Sequence, residues 1–144
     1  VKVLMVCLGN ICRSPMAEFM LRDAAAQAGL AIEVESAGVS AEVGRPATFE
    51  ARAVLAEIGV SGEGHVARVL TEQMLRDADL VLVATESLMR RVMQFDNADA
   101  DKTKLMLGDA DLPDPWGMSL DDYRRTAREL QGMVDRVIAE AANK

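Results

Sequence analysis

The first fifteen residues constrain the fold most. Lys2 to Val6 is an apolar run that reads as a buried strand, and Pro15 suits the first turn of a helix for which Ser14 is the expected cap. Only Cys7-Leu8-Gly9-Asn10-Ile11-Cys12-Arg13 lies between them, so the chain must pass from strand to helix through a tight loop. Backbone N–H groups turned into such a loop meet the positive end of the helix dipole and favour an anion at its centre. Gly9 supplies a flexible backbone, Asn10 tolerates left-handed geometry, and Arg13 adds a bidentate fork of donors. Cys7 stands at the base of the same field. A lone cysteine at a strand end reads as a space filler; beside a helix N-terminus and an arginine it is expected to be a thiolate at neutral pH and a nucleophile toward bound phosphate.

Strands alternate with helices along the rest of the chain. Met16 to Ala28 has apolar residues at helical spacing and stops at Gly29, Ile32 to Ser36 alternates as a second strand, and Ala47 to Ile58 is an amphipathic helix ended by Gly59. Thr71 can cap a short helix over Glu72 to Arg76. Leu80 to Ala84 is an unbroken apolar run, expected to be a strand buried on both faces, and Ser87 to Phe95 follows as a helix. Asp96 to Lys102 reads as an acidic loop, Lys104 to Leu107 as a fourth strand, and Ser119 with Asp121 and Asp122 as the cap of a last helix reaching Ala142. This order implies a four-stranded parallel sheet covered on both faces, an α/β fold of three α/β/α layers forming one domain over residues 1–144. In such sheets ligands sit beyond the carboxyl ends of the strands, and Cys7 and Asp114 both follow strands.

Composition removes other classes. The net charge of −7 argues against a nucleic-acid partner, which needs a basic stripe, so phosphate recognition must be local. No apolar run approaches the roughly 18 residues of a membrane span, and no basic-then-apolar leader is present, so membrane insertion is not expected and a cytoplasmic location is. Two cysteines close in sequence and a single histidine do not have the spacing of a metal site, so neither metal nor cofactor is expected. A structural disulfide is a poor reading in a reducing compartment. The nine methionines beside three phenylalanines read as adaptable core filler.

The run Cys7-Leu8-Gly9-Asn10-Ile11-Cys12-Arg13-Ser14-Pro15-Met16-Ala17-Glu18 resembles the signature of the low-molecular-weight protein tyrosine phosphatases. Asp114-Pro115-Trp116-Gly117 resembles that family's Asp-Pro-aromatic loop, and Ser36-Ala37-Gly38 and Gly64-His65-Val66-Ala67-Arg68 are smaller echoes in the same order. The resemblance spans residues 1 to about 130 and implies a flavodoxin-like fold of the phosphotyrosine phosphatase I type. It also implies that Cys7 forms a phosphocysteine, that Leu8 to Ser14 bind the phosphoryl group with Arg13 as its fork, and that Asp114 is the general acid and then the base. Asn10, Ser14, Ser36 and His65 would support the loop, with the Ser14 hydroxyl hydrogen-bonded to the Cys7 sulfur. Without the resemblance, His65 reads as a surface or packed histidine, Asp114 as a turn aspartate with Asp109 and Asp111 as rival acids, and Trp116 either as a stacking wall or as an anchor of the last helix. Cys12 reads either as a small loop filler or, by the resemblance, as a redox partner that shields Cys7 through a reversible disulfide. Arg68 reads as structural or solvated.

The loop Gly38 to Gly44 lacks the tryptophan of many eukaryotic members and looks more like the bacterial subgroup associated with exopolysaccharide export and tyrosine autokinases. The implied partner is a phosphotyrosine protein such as a tyrosine autokinase, with inorganic phosphate and similar oxyanions as inhibitors. Glu42 departs from that subgroup by placing a carboxylate near the mouth, and Trp116-Gly117 replaces the family's paired tyrosines, so regulation by phosphorylation is not expected there. Three other functions were weighed. An arsenate reductase needs further cysteines downstream and none follows Cys12. A phosphocysteine carrier does not need a separate acid, and a pure phosphotyrosine-binding module does not need Cys7, Arg13 and Asp114 together.

Overall fold

Each short apolar strand is followed by a helical return that brings the chain back to the same end of the sheet, and this makes all strands parallel. The computed structural model describes residues 1–143. It contains β1 (Lys2–Cys7), α1 (Arg13–Gln27), β2 (Glu33–Gly38), α2 (Phe49–Glu57), α3 (Glu72–Asp77), β3 (Leu80–Val83), α4 (Glu86–Val92), β4 (Thr103–Leu105) and α5 (Leu120–Ala142). The sheet order is β2-β1-β3-β4. From β1 the chain first moves to one side and then crosses to the other, so the order reverses beside the carboxyl end of β1, where a crevice opens. Cys7 is the last residue of β1 and pairs with Gly38 at the end of β2.

Helices α1, α2 and α5 pack against one another on one face, while α3 and α4 lie against β1, β3 and β4. The resulting three-layer α/β/α architecture is the one expected from the strand and helix order. β1 is central, and Val3, Leu4, Met5 and Val6 have no exposed surface. The methionines Met5, Met16, Met20, Met106 and Met133 are buried core residues, as their adaptable shape suggests. α5 buries Tyr123, Thr126, Ala127, Leu130, Met133, Val134 and Val137 along one stripe at helical spacing, and Ser119 with Asp122 closes a reciprocal capping box at its start.

The boundaries differ from the sequence reading in places with physical causes. α1 begins at Arg13, so Ser14 lies inside its first turn; Cys12 occupies the cap position without a side-chain hydrogen bond. The Ser14 hydroxyl is committed instead to Cys7. The N–H groups of that turn therefore keep no side-chain cap, as an anion-binding helix end requires. β2 runs on to Gly38 because Ala37 and Gly38 pair with Val6 and Cys7. α4 starts at the cap Thr85 and ends at Val92, short of Phe95. The acidic loop contains a 3-10 turn, Ala100–Lys102, started by the Asp99 side chain.

Gly38 is where strand end and loop come closest. A Cβ there would lie 2.5 Å from the Leu8 carbonyl oxygen and 2.9 Å from the Asn10 nitrogen. Both are backbone atoms that cannot rotate away. Gly38→Ala is expected to cost about 1–3 kcal/mol through overpacking and to lower turnover because Leu8 to Asn10 must shift. Thermal denaturation and steady-state kinetics check this, and an unchanged melting temperature with full activity would contradict the close approach.

Candidate active site

The loop between β1 and α1 turns on Asn10, whose φ of 56° is the only positive value at a non-glycine residue among the described residues. Its fully buried side chain is satisfied at every position. Nδ2 donates to Ser14 Oγ at 2.8 Å and to Ser36 Oγ at 2.9 Å, while Oδ1 accepts the Arg68 backbone N–H at 2.9 Å. These bonds fix the direction of the rest. Ser36, accepting from Asn10, donates its own hydrogen to the Glu18 carboxylate. Ser14, also accepting from Asn10, has its hydrogen free for Cys7 Sγ at 2.9 Å, a contact that stabilises a thiolate. The Asn10 carbonyl lies 2.6 Å from His65 Nε2. A carbonyl only accepts, so Nε2 carries the proton. The Arg68 guanidinium binds the Ser36 carbonyl at 3.2 and 3.3 Å, and Arg22 pairs with Glu18.

In front of this support is a cavity of about 250 Å³, lined by Cys7, Leu8, Gly9, Ile11, Cys12 and Arg13 together with Ser40, Glu42, Arg45, Asp114 and Trp116. The structure therefore brings together every residue the sequence reading placed at the site, but in two layers. Asn10 and Ser14 do not line the cavity; with Ser36 and His65 they hold the loop from behind. Arg13 is only 4% exposed. Its Nη1 donates to the Leu112 carbonyl at 2.9 Å, its Nη2 lies 3.6 Å from Asp114 Oδ2, and its buried Nε has no protein partner. An unpaired buried donor costs about 1–3 kcal/mol, and an oxyanion in the loop would offset that cost.

The rival acids separate by position. Asp111 Oδ1 accepts from the Glu86 backbone N–H and so steadies the start of α4, Asp109 is exposed away from the cavity, and of the three aspartates only Asp114 lines it. The Asp114 carboxylate is oriented by its Oδ1, which accepts the Trp116 backbone N–H at 3.1 Å. Trp116 is 61% exposed at the mouth, which makes it a wall of the cavity and not an anchor for α5.

Cys12 is buried and faces Tyr123 and Thr48 on its inner side. Burial pushes its thiol up to about 11, more than its hydrogen bonds with Tyr123 and Thr48 can offset. Cys12 is thus a neutral thiol at physiological pH. Glu18, Thr48, Tyr123 and the Leu112 carbonyl had no assigned part in the sequence reading. Glu18 lies within the first motif, where its spacing from Cys7 was visible. Tyr123 and Leu112 meet Cys12 and Arg13 across 111 and 99 residues, and no local signal announces such contacts.

A thiol at the floor of an anion cradle, a buried arginine with a free donor and a carboxyl group above them define an enzyme that transfers a phosphoryl group to cysteine. Residues 2–144 match the family described as low molecular weight phosphotyrosine protein phosphatase, and the chain belongs to it. It is 37% identical over 145 residues to the low molecular weight protein-tyrosine-phosphatase Etp of Escherichia coli K12, covering 99% of this chain and 93% of that protein. It is 36% identical over 147 residues to a protein-arginine-phosphatase of Bacillus subtilis, covering 99% of this chain and 97% of that one. The crystal structure of a low molecular weight protein tyrosine phosphatase from T. tengcongensis superposes with a TM-score of 0.93 at 41% identity, covering 97% and 99% of the two chains. The protein is a cysteine-dependent protein-tyrosine phosphatase of this family that works through a phosphocysteine.

The two thiols are expected to differ in reactivity. At pH 7 iodoacetamide should alkylate Cys7 and leave Cys12 unmodified, because the Cys12 proton is released only as pH rises toward about 11. Peptide mapping by mass spectrometry checks this; equal labelling of both at pH 7 would refute the assignment of Cys12 as a neutral thiol.

Proposed function

We propose that Cys7 is the nucleophile, Arg13 the phosphoryl-binding fork and Asp114 the general acid of phosphotyrosine hydrolysis. The observation that carries this is the position of Asp114 Oδ2, 3.6 Å from Arg13 Nη2 above the Cys7 loop. The Cys7 thiolate attacks phosphorus in line while loop N–H groups and Arg13 stabilise the charge on the equatorial oxygens. The phosphorus–oxygen bond to the phenol breaks, and protonated Asp114 gives its proton to the departing oxygen. The Asp114 carboxylate then takes a proton from water as that water attacks phosphorus, the phosphorus–sulfur bond breaks, and phosphate leaves with the thiolate restored. Inorganic phosphate and similar oxyanions compete for the same cradle.

The walls favour an aryl group. Leu8, Ile11 and Trp116 offer apolar surface beside the cradle, which suits the flat faces of a phenol. A phosphorylated guanidinium would leave N–H donors against Leu8 and Ile11. Glu42 pairs with Arg45 at 3.4 Å on the rim, so residues flanking the phosphotyrosine meet one charge of each sign. The partner is a phosphotyrosine protein of a bacterial tyrosine-kinase system in the cytoplasm. The tryptophan-free loop after Gly38 supports a link to exopolysaccharide export. In this reading Cys12 also serves as a redox partner for Cys7; both thiols line the one cavity. Among the described residues no helix is long and apolar enough to cross a membrane.

Initial rates with chelator present on a phosphotyrosine peptide, a phosphoarginine peptide and 4-nitrophenyl phosphate test the reading. Cys7→Ser is expected to abolish turnover, and Asp114→Asn to lower kcat/KM on the phosphotyrosine peptide by about 10²-fold or more. The phosphotyrosine peptide should be the better of the two peptides. Preference for phosphoarginine, or full activity of Asp114→Asn, would overturn it.

A further inference from the structure

Tyr123 is the only tyrosine of the chain, and its hydroxyl is buried among polar groups that the phosphoryl-transfer chemistry does not use. Thr48 Oγ1 donates to the Tyr123 oxygen at 3.2 Å, Tyr123 lies 3.3 Å from Cys12 Sγ, and Cys12 Sγ donates to Thr48 Oγ1 at 3.9 Å. With Thr48 as donor to Tyr123 and Cys12 as donor to Thr48, the Tyr123 hydrogen is left for Cys12 Sγ. The three groups close a ring in which each gives one hydrogen and receives one. Thr48 also holds the loop directly, since its backbone N–H donates to the Ile11 carbonyl at 2.9 Å.

The ring joins the phosphate loop to the first turn of α5. That turn follows the segment bearing Asp114, because Pro113 to Met118 leads into Ser119, the cap of α5. At the other end of the segment, Arg13 holds the Leu112 carbonyl at 2.9 Å. Cys12 and Arg13 are adjacent in the loop. Neighbouring residues of the phosphate cradle thus hold the two ends of the segment that carries the acid, one through Leu112 and the other through Tyr123.

We infer that Tyr123 is a positioning residue for Asp114: its bonds to Cys12 and Thr48 set the distance from the Asp114 carboxyl to the oxygen leaving phosphorus. This rests on the reading of Asp114 as general acid. Misplacing a proton donor by a fraction of an ångström slows only reactions that need the proton, so the effect depends on the leaving group. Hydrolysis of the phosphocysteine is common to all substrates, so kcat/KM isolates the step that expels the leaving group.

The experiment compares kcat/KM for phenyl phosphate and 2,4-dinitrophenyl phosphate in the unaltered protein, Tyr123→Phe, Asp114→Asn and the double variant, with melting temperatures. Phenolate needs the proton and dinitrophenolate leaves without it. Tyr123→Phe is expected to lower the phenyl phosphate value about tenfold and the dinitrophenyl phosphate value less than about twofold. In the Asp114→Asn background it should add nothing, the mark of two residues acting as one unit. Equal losses on both substrates, no loss, or additive losses would overturn the inference. If Tyr123→Phe does not fold, Thr48→Val, which removes the donor to Tyr123, must show the same selectivity. If Asp114→Asn itself shows no selective loss on phenyl phosphate, the acid assignment fails and the inference falls with it. A selective loss in Asp114→Asn without one in Tyr123→Phe overturns the inference alone.

Discussion

The left-handed turn at Asn10, with the three hydrogen bonds its side chain makes, is the constraint on which the active site depends. A backbone in that conformation is unfavourable for most L-residues, yet the loop between β1 and α1 turns on it. The amide offsets the strain by satisfying Ser14, Ser36 and the Arg68 N–H at once. Because these partners come from α1, β2 and the segment before α3, the loop cannot relax without disturbing three parts of the fold. The cradle is formed before any phosphate arrives, which is the condition for electrostatic stabilisation without reorganisation.

The same network decides the protonation pattern around the nucleophile. An amide nitrogen only donates, a carbonyl only accepts, and the Glu18 carboxylate accepts from Ser36, so hydrogens are distributed in one direction that leaves the Ser14 proton for Cys7. The inner side of the loop has a different chemistry. There Cys12 sits in a ring of neutral groups with Thr48 and Tyr123, and burial keeps its proton in place. Two thiols in one loop thus have different surroundings: Cys7 meets the Ser14 hydroxyl, and Cys12 meets Thr48 and Tyr123 at the starts of α2 and α5.

The arrangement at the end of β1 also explains the lack of slack. Parallel strands crossing in opposite directions from β1 leave a crevice, and Gly38 lets the end of β2 come within contact of the loop backbone. Arg13 spans the crevice to Leu112, so the segment with Asp114 and Trp116 is drawn over the cavity it closes. Leu8, Ile11 and Trp116 then give that cavity apolar walls.

Much of this was legible in the residues. Apolar runs separated by helical periodicity specify a parallel α/β sheet, and Cys7, Gly9, Asn10 and Arg13 at their spacing specify a tight loop between strand and helix, because both patterns are local in the chain. Ser14 read both as a helix cap and as a partner of the Cys7 sulfur, since a hydroxyl at a helix start can serve either; the fold kept only the second. Asp109, Asp111 and Asp114 were chemically equal in the sequence; the fold turned Asp111 to the start of α4 and Asp114 to the cavity. The sequence by itself determined the fold class and the strand-loop-helix pattern that places Cys7 and Arg13 at one end of the sheet. Only the tertiary structure decided which aspartate lines the cavity, that Trp116 stands at its mouth, and that Tyr123 ties α5 to the loop, because those contacts join residues far apart in the chain and depend on how the helices cross the sheet.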